Sequence, residues 1–190
     1  MGPGAAFNTA FEQIFSKNYN DDDLVVTLEG DATSDPKTLQ RMLKRTEEGD
    51  GLILASPYLY GGGFSYVEGY RLLLSHIANF LYKLILNIHG LATISCFYRV
   101  YRLGALKKIK FMFNESVVTC KGFECAAEIV MKATRCKISI TEVPFQVDWS
   151  RRKGKSKMKI FKTIWGYFKM FARYYNHQLQ QESNTSESCT

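Results

Sequence analysis

The sequence has few of the residues on which many catalytic and metal centres depend. Its three histidines stand alone, at positions 76, 89 and 177. Each is expected to be a structural or surface residue rather than a base. The five cysteines form no C-x-x-C pair and have no histidine at ligand spacing. This pattern predicts reduced thiols in a cytosolic setting, rather than a disulfide framework or a metal site.

Segments for secretion or membrane insertion are also lacking. The opening stretch MGPGAAFNTAFEQIF has no basic region before an apolar core, and Glu12 interrupts it, so no secretory signal is expected. The most apolar segment, LLLSHIANFLYKLIL, contains His76, Asn79 and Lys83. It is shorter than the ~20 largely uncharged residues that a membrane span requires. We therefore expect a core helix there.

Acidic residues are absent between Arg151 and Arg173, although nine basic residues lie in that segment. The whole chain of 190 residues carries a formal net charge of +7. Such an excess predicts a polyanionic partner: nucleic acid, an anionic membrane or a phosphorylated substrate. No nucleic acid is expected as partner, because the cations lie in one segment and no recognised binding motif accompanies them.

Apolar patterns along the chain predict an α/β fold. LVVTL and GLILAS are short apolar runs expected to be buried strands, and KISITEVPF alternates as a strand does. Helical spacing occurs at residues 7–15, at about 66–86 and at 122–133. Asp35-Pro36 predicts the start of a further helix that stops at Gly49. This order predicts a mostly parallel sheet flanked by helices.

Two carboxylates, Glu29 and Asp31, follow the first predicted strand in the stretch LEGDATSDP. Ligands of open α/β sheets bind at the carboxyl ends of the strands. Carboxylate oxygens are hard ligands that suit Mg²⁺ or Mn²⁺. Spacing alone leaves two interpretations open, a solvated acidic turn and a cation site.

The stretch LVVTLEGDATSDPKTLQRML resembles the region around the DxD motif of family 2 glycosyltransferases of the GT-A fold, in particular the dolichol-phosphate mannose synthase-like branch. Similar blocks follow in order: GLILASPYLYGGG, ISCFYRVYR, FECAAEIVMKA, ITEVPF and RRKGKSKM. The resemblance covers residues 2–158 and implies a GT-A-like, Rossmann-like sheet. Members of this branch begin with one or two further strand–helix units, so the chain is expected to be N-terminally truncated.

The resemblance implies a metal-dependent transfer of sugar from a nucleotide-sugar donor to a polyprenyl-phosphate-type or glycan acceptor. Glu29 and Asp31 would hold Mg²⁺ or Mn²⁺, with Asp31 also counted as catalytic. Glu128 is the candidate catalytic base for a sugar hydroxyl, whereas a phosphate acceptor needs none. The residues expected at the donor diphosphate are Arg151, Arg152, Ser156 and Lys157. Those expected at the acceptor are Arg71, Ser75 and Arg99.

Two departures from the family pattern concern the acceptor more than the donor. Thr93 stands where an Asp is common, and Pro57 stands where many relatives have an Arg. The first position of the acidic pair is Glu rather than the usual Asp. In relatives, the first strand–helix units carry an Asp that contacts the nucleotide base, and these units are not found in this sequence. A catalytically incomplete, membrane-associated remnant that binds phosphate and metal without turnover is therefore the alternative function.

Three regions are predicted: a partial glycosyltransferase domain at 1–157, an amphipathic helix at 158–177 and a disordered tail at 178–190. The helix places apolar residues on one face with cations around it. That face comprises Ile160, Phe161, Ile164, Trp165, Phe168, Phe171 and Tyr175. It predicts a cytoplasmic, peripheral protein on an anionic membrane surface. Packing of the same face onto the domain is the alternative.

Overall fold

Helices and strands alternate over residues 3–56, as the apolar patterns predicted, and are less regularly interspersed after that. The computed structural model describes residues 2–66, 69, 72, 75, 76, 79, 80, 83, 84, 90–114, 116–151 and 163–174. The helices are α1 (Pro3–Phe15), α2 (Pro36–Glu47), α3 (Leu103–Phe113) and α4 (Cys125–Arg135). The strands are β1 (Leu24–Thr27), β2 (Leu52–Ser56), β3 (Gly63–Ser65), β4 (Arg99–Arg102), β5 (Ile140–Pro144) and β6 (Gln146–Asp148). Every described position from 69 to 84 is also helical, as is the range 163–174.

The main sheet has four strands in the order β1-β4-β2-β5. β4 runs antiparallel to β1 and to β2, whereas β2 and β5 are parallel. β1, β2 and β5 therefore point in one direction, and the prediction of a mostly parallel sheet is met only in part. β4 is reversed because the chain enters it from the edge at which the other three strands end. β3 and β6 form a separate parallel pair.

Helices cover both faces of the main sheet. On one face, Met42 of α2 packs in a cluster with Ile53 and Val100. On the other, α1, α3, α4 and the 163–174 helix enclose a larger core that includes Phe11 and Leu106. The predicted α/β class, with helices on the faces of the sheet, is confirmed.

The start of α2 confirms the cap predicted from Asp35-Pro36. The Asp35 carboxylate accepts the backbone N–H of Thr38 at 2.9 Å and its hydroxyl at 2.6 Å. Burial acts to raise the pKa of Asp35, but the hydrogen bonds from Thr38 and the charge of Arg41 outweigh it and hold the pKa below its ordinary value. This cap fixes the end of the acidic turn that follows β1.

β1 is less buried than its apolar sequence predicted. Leu24 and Val26 are each 37% exposed, and Leu28 beyond the strand is 56% exposed. β1 pairs only with β4 among the described strands, and α2 lies over β2, β4 and β5. The expectation of a fully buried strand is therefore wrong for this face of β1.

The 163–174 helix has one buried side and one exposed side. Tyr167 and Met170 are buried in the larger core, and Phe171 packs against it. The exposed apolar residues are Ile164, Trp165 and Phe168. The prediction that Phe171 lies on the same apolar face as Ile164, Trp165 and Phe168 is therefore wrong, because Phe171 packs against the core. Over the part of the chain that the structure describes, no helix is both long and apolar enough to cross a bilayer.

The described cysteines are all free thiols: Cys96, Cys120, Cys125 and Cys136. Burial is the main cause that raises the pKa of Cys96 and of Cys125 to about 12. Thiols with such pKa values stay protonated near neutral pH and react slowly. These four form no disulfide in the structure, and the reduced, cytosolic setting stays a prediction.

Candidate functional site

Segments that are far apart in sequence meet at the side of the main sheet where β1, β2 and β5 end, which we call the carboxyl edge. Because β1, β2 and β5 run in one direction, their last residues, Thr27, Ser56 and Pro144, lie at the same edge. The first residue of the reversed strand β4, Arg99, also lies there. The segments that leave or enter the sheet at this edge are 28–35, 57–62, 90–98 and 145–148. In α/β folds this is the edge at which ligands bind.

Asp31 lies in a tight turn at this edge. Its Oδ1 accepts the backbone N–H of Thr33 at 3.2 Å and the Thr33 hydroxyl at 2.6 Å. Ala32, between them, has a φ of 64°, in the left-handed region. Asp side chains favour such turns because they hydrogen-bond the backbone two residues further on. The turn fixes the orientation of the Asp31 carboxylate.

Glu29 precedes this turn and is exposed. Its charge acts on Cys96 in the segment before β4: burial chiefly raises the pKa of the Cys96 thiol, and the Glu29 carboxylate raises it further. Glu142 of β5 adds to the same effect. The positive charge of Arg99 acts in the opposite direction and lowers this pKa.

Glu29 and Asp31 are the carboxylates of this segment that could hold Mg²⁺ or Mn²⁺. Glu29 and Asp31 offer hard oxygen ligands, yet no group of three or more His, Cys, Asp or Glu side chains within the described ranges is arranged to hold a metal. Mg²⁺ is commonly bound by one or two carboxylates together with substrate phosphates and water. The two carboxylates therefore suit a cation that arrives with a phosphorylated ligand.

Ser75, a predicted acceptor residue, lies beside the segment that follows β2. The Ser75 and Tyr58 hydroxyl oxygens are 2.5 Å apart. The Tyr58 ring also contacts His76, edge to face, with centroids 4.9 Å apart. Burial raises the pKa of Tyr58 above its ordinary value. The structure thus brings Ser75 to the carboxyl edge, while its predicted companion Arg71 lies outside the described residues.

Arg99, also predicted at the acceptor, is directed into the protein. It is 1% exposed. Its guanidinium donates to the carbonyls of Cys96 at 2.6 Å, Ile94 at 2.7 Å and Ala126 at 2.8 Å. These bonds tie the segment before β4 to the start of α4. The structure gives Arg99 a role in shaping the edge, and contact with an acceptor stays a prediction.

Glu128 is 2% exposed, and its hydrogen bonds lie within the protein. Its carboxylate accepts the N–H groups of Thr119 and Cys120 at 2.9 Å and the Thr119 hydroxyl at 2.6 Å, and lies 3.1 Å from the Lys132 ammonium. Burial acts to raise the pKa of Glu128, but Lys132 and these donors outweigh it, so the pKa is lowered. A general base must reach the proton that it removes, and the structure does not bring Glu128 to Asp31 through any described contact.

The predicted phosphate loop is described only at its first residue. Arg151 closes a 3₁₀ turn, Trp149–Arg151, and its Nε donates to Asp148 Oδ2 at 3.3 Å. Asp148 also accepts the Ser150 N–H at 3.0 Å. Arg151 therefore begins the basic segment next to the end of β6. Arg152, Ser156 and Lys157 lie outside the described residues.

Two polar residues at this edge were not singled out from the sequence, Glu142 and Asn79. Glu142 is the acidic residue in ITEVPF, and its oxygens accept the N–H groups of Ala92 at 2.5 Å and Thr93 at 2.7 Å. The Asn79 side-chain amide donates to the Ala92 carbonyl. A charged residue inside a short apolar strand is the signal that was available for Glu142.

Two of the known proteins to which the chain is similar are of the same kind. Over 157 residues, the chain is 31% identical to a polyprenol monophosphomannose synthase of Mycolicibacterium smegmatis, covering 83% of this chain and 56% of that protein. It is 27% identical over 157 residues to an undecaprenyl-phosphate mannosyltransferase of Micrococcus luteus, covering 83% of this chain and 60% of that protein. No protein-family model matches the chain.

The chain spans less than two thirds of the length of these curated relatives. The similarity nevertheless covers most of the chain itself, and both relatives are mannosyl-transferring enzymes. The names of these relatives agree with the predicted resemblance to the dolichol-phosphate mannose synthase-like branch, whereas membership of glycosyltransferase family 2 and the GT-A fold stay predictions.

Proposed function

We propose that the chain acts as, or within, a GT-A-type family 2 glycosyltransferase that transfers mannose from a nucleotide-sugar donor to a polyprenyl phosphate. The observation that carries the proposal is the carboxyl edge, where Glu29 and Asp31 stand. Similarity to two mannosyl-transferring enzymes supplies the sugar and the type of acceptor.

In this reaction an oxygen of the acceptor phosphate attacks the anomeric carbon of mannose. The bond between that carbon and the donor phosphate breaks, and a nucleoside diphosphate leaves with its electron pair. A bound divalent cation would neutralise the charge that develops on the diphosphate. Asp31, oriented by Thr33, would hold the cation together with Glu29. Arg151, with Arg152, Ser156 and Lys157, would bind the diphosphate oxygens.

The burial of Glu128 favours a phosphate acceptor over a glycan acceptor. A sugar hydroxyl has to lose a proton to a base as it attacks, whereas a phosphate oxygen is already anionic. The candidate base, Glu128, is engaged by Thr119, Cys120 and Lys132. A reaction without a general base is the one that these contacts support.

The acceptor lipid implies a protein that works at a membrane surface. The exposed Ile164, Trp165 and Phe168 form an apolar surface on the 163–174 helix, which we call the aromatic face. Lys169 lies beside it, with its ammonium 5.7 Å from the Trp165 ring centroid. This combination suits shallow insertion among anionic headgroups. We propose a peripheral, cytoplasmic location on this basis.

A second candidate is a module that binds phosphate and metal without turnover. Binding of this kind would need only the acidic pair, Glu29 and Asp31, and the basic segment that begins at Arg151. The two candidates separate in one experiment with labelled nucleoside diphosphate mannose donors, a short-chain polyprenyl phosphate and Mn²⁺. Label that moves into the lipid supports the transferase. Donor binding without transfer supports the second candidate, and absence of both contradicts the proposal.

Asp31→Asn is expected to remove the Mn²⁺-dependent stabilisation by nucleoside diphosphates. The amide keeps an oxygen that can accept from Thr33, so the turn should persist while the charge is lost. At a ligand concentration about 100 times Kd, binding stabilises the native state by about 2.7 kcal/mol. For a domain of this size, that raises Tm by roughly 5–10 °C. Thermal unfolding with and without Mn²⁺ measures the difference.

Asp22→Asn is the matched control for this measurement. Asp22 is an exposed carboxylate that pairs with Arg102 at 2.7 Å, and exposed pairs contribute about 0–1 kcal/mol. Its substitution should leave the ligand-dependent shift intact. If Asp31→Asn keeps the whole Mn²⁺-dependent rise in Tm, the segment is a solvated acidic turn and not a cation site.

A further inference from the structure

One carboxylate in the main sheet holds two consecutive backbone groups of another segment. Glu142 lies on β5, opposite Leu54 of β2 in the parallel register. Its Oε2 accepts the N–H of Ala92 at 2.5 Å and its Oε1 accepts the N–H of Thr93 at 2.7 Å. Both oxygens are thus engaged by one short stretch of the chain. Hydrogen bonds to an ionised acceptor are shorter and stronger than neutral ones.

The same stretch is held from its other side by Asn79, one of the described helical positions between 69 and 84. The side-chain amide of Asn79, itself 5% exposed, donates to the carbonyl of Ala92. Ala92 is therefore fixed through its N–H by the sheet and through its C=O by the helix. We call this arrangement of Glu142, Ala92, Thr93 and Asn79 the clamp.

Two other polar groups of the clamp residues make no hydrogen bond to a described residue that could replace those of the clamp. The Thr93 hydroxyl and the Asn79 amide oxygen are buried and have no hydrogen-bond partner in the part of the chain that the structure describes. Among the described residues, the polar attachment of this helix to β5 is the clamp. Removing one member should loosen the connection rather than shift it to a neighbouring bond.

The helical segment held by the clamp also carries Ser75. Ser75 and Asn79 are four residues apart and so share one side of the helix. Ser75 meets Tyr58, which follows β2, and Asn79 meets Ala92, which precedes β4. The helix is fixed to the carboxyl edge at these two points, one turn apart.

We propose that Glu142 is a positioning residue for the acceptor: through the clamp it sets the place of the helix that presents Ser75 to the acceptor phosphate. The proposal rests on the proposed function for the identity of the acceptor. Glu142 itself touches neither substrate. Groups held within about 0.5 Å of the productive geometry depend on such supporting contacts.

The test compares Glu142→Gln with the native chain. Glutamine offers one acceptor oxygen, and its NH₂ faces the second N–H, so one of the two backbone donors loses its partner. Amide hydrogen exchange at Ala92 and Thr93 should accelerate about 10-fold or more. The affinity for a short-chain polyprenyl phosphate, measured directly as Kd, should weaken about 10-fold, and nucleoside diphosphate affinity should not change.

Glu48→Gln is the matched control. Glu48 forms a surface pair with Arg45 at 2.5 Å, so neither exchange nor affinity should change. Asn79→Ala should weaken acceptor binding as Glu142→Gln does. The double variant should add little, because both residues act through Ala92.

Unchanged exchange at Ala92 and Thr93 in Glu142→Gln would overturn the clamp. Faster exchange in Glu142→Gln could come with equal losses of affinity for polyprenyl phosphate and nucleoside diphosphate, or with no loss of either affinity. Both outcomes would show that Glu142 is merely structural and would overturn the positioning role. A native chain that fails to bind polyprenyl phosphate would overturn it as well. Acceptor binding without sugar transfer would count against the proposed function alone, since Kd and exchange decide the clamp without turnover.

Discussion

Glu128→Gln is expected to lower the free energy of unfolding by about 3 kcal/mol, because it leaves a buried ammonium without its counter-charge. The side chains of Lys132 and Glu128 are each 3% exposed. The Lys132 ammonium also donates to the carbonyls of Ser116 at 3.1 Å and Val117 at 3.3 Å, and it lies 5.2 Å from the Phe113 ring centroid. Tm should fall by roughly 6–12 °C for a domain of this size. Urea unfolding measures the loss.

A half-exposed pair elsewhere in the chain gives the matched control. Glu12 and Lys110 are 2.5 Å apart with side chains 41% and 39% exposed, and such pairs contribute about 0–1 kcal/mol. Glu12→Gln should therefore cost less than 1 kcal/mol. Combining Glu128→Gln with Lys132→Met should cost less than the sum of the single changes, since no unpaired charge is left. A loss from Glu128→Gln no larger than that from Glu12→Gln would contradict the structural role.

The free energy of unfolding that Glu128→Gln loses should become smaller as the pH falls. The pKa of Glu128 is lowered from 4.5 in the folded state, so its ionised form contributes stability above that value. This contribution disappears as the pH falls through the lowered pKa. The difference between the native chain and Glu128→Gln should be complete near neutral pH and should shrink on acidification below about pH 4.5. A difference that grows in acid would have the wrong sign.

The buried contacts of Glu128 explain why the sequence suggested a different role for it. Its position in FECAAEIVMKA made it the candidate base. The sequence around an acidic residue on a helix does not show which distant residues will cover its carboxylate in the fold. The partners Thr119 and Cys120 belong to a segment that folds back over α4. Low activity in a Glu128 variant therefore needs a stability measurement beside it before any catalytic interpretation.

Local chemistry could be predicted from the sequence where the interacting residues are neighbours. The cap of α2 needs only Asp35, Pro36 and Thr38, which lie within four residues. β2 was predictable because an apolar run of five residues is buried on both faces in an α/β sheet. The acidic turn at Asp31 was located by its place after an apolar run.

Features set by distant segments could not be predicted in this way. β4 pairs with both β1 and β2, yet RVYR has an arginine at each end and little strand signal. Arg99 is accommodated only because three carbonyls from residues 94, 96 and 126 surround its guanidinium. β1 has the composition of a buried strand, but exposure depends on what covers the sheet, and α2 lies over other strands.

The 163–174 helix shows the same limit, because apolar residues lie on several sides of it. Periodicity grouped Ile164, Trp165, Phe168 and Phe171, and it could not decide which residues would meet the core. The core takes Tyr167, Met170 and Phe171. One side packs on the domain, as the alternative interpretation predicted. The other side is exposed, and its contact with a membrane stays a prediction.

The aromatic face leads to the second large expected effect: Trp165→Glu should weaken binding to phosphatidylserine-rich vesicles about 100-fold. Withdrawing the indole from an apolar environment costs about 2 kcal/mol, and a new negative charge at an anionic surface costs about 1 kcal/mol. Trp165 is 62% exposed, so the change should leave the fold intact. Vesicle sedimentation measures the binding, and circular dichroism checks the fold.

Phe111→Glu is the matched control, because Phe111 is an exposed aromatic residue on α3, 86% exposed. The same change of chemistry there should leave vesicle binding almost unaffected if the aromatic face is the site of insertion. Equal losses from both substitutions would instead indicate a general effect of charge. Phosphatidylcholine vesicles should bind less of the native chain than phosphatidylserine-rich ones.

Tryptophan emission separates insertion from purely electrostatic adsorption. In a Trp149→Phe background, the exposed Trp165 should emit at long wavelength in buffer and shift to the blue when phosphatidylserine-rich vesicles are added. Added salt should reduce binding without abolishing it, because salt screens the cations and leaves the apolar contribution in place. Binding that salt abolishes completely, with no shift in emission, would show that cations alone hold the chain at the surface. Emission already blue-shifted in buffer and unchanged by vesicles would mean that Trp165 is buried against the protein, and the aromatic face would then have no role at the membrane.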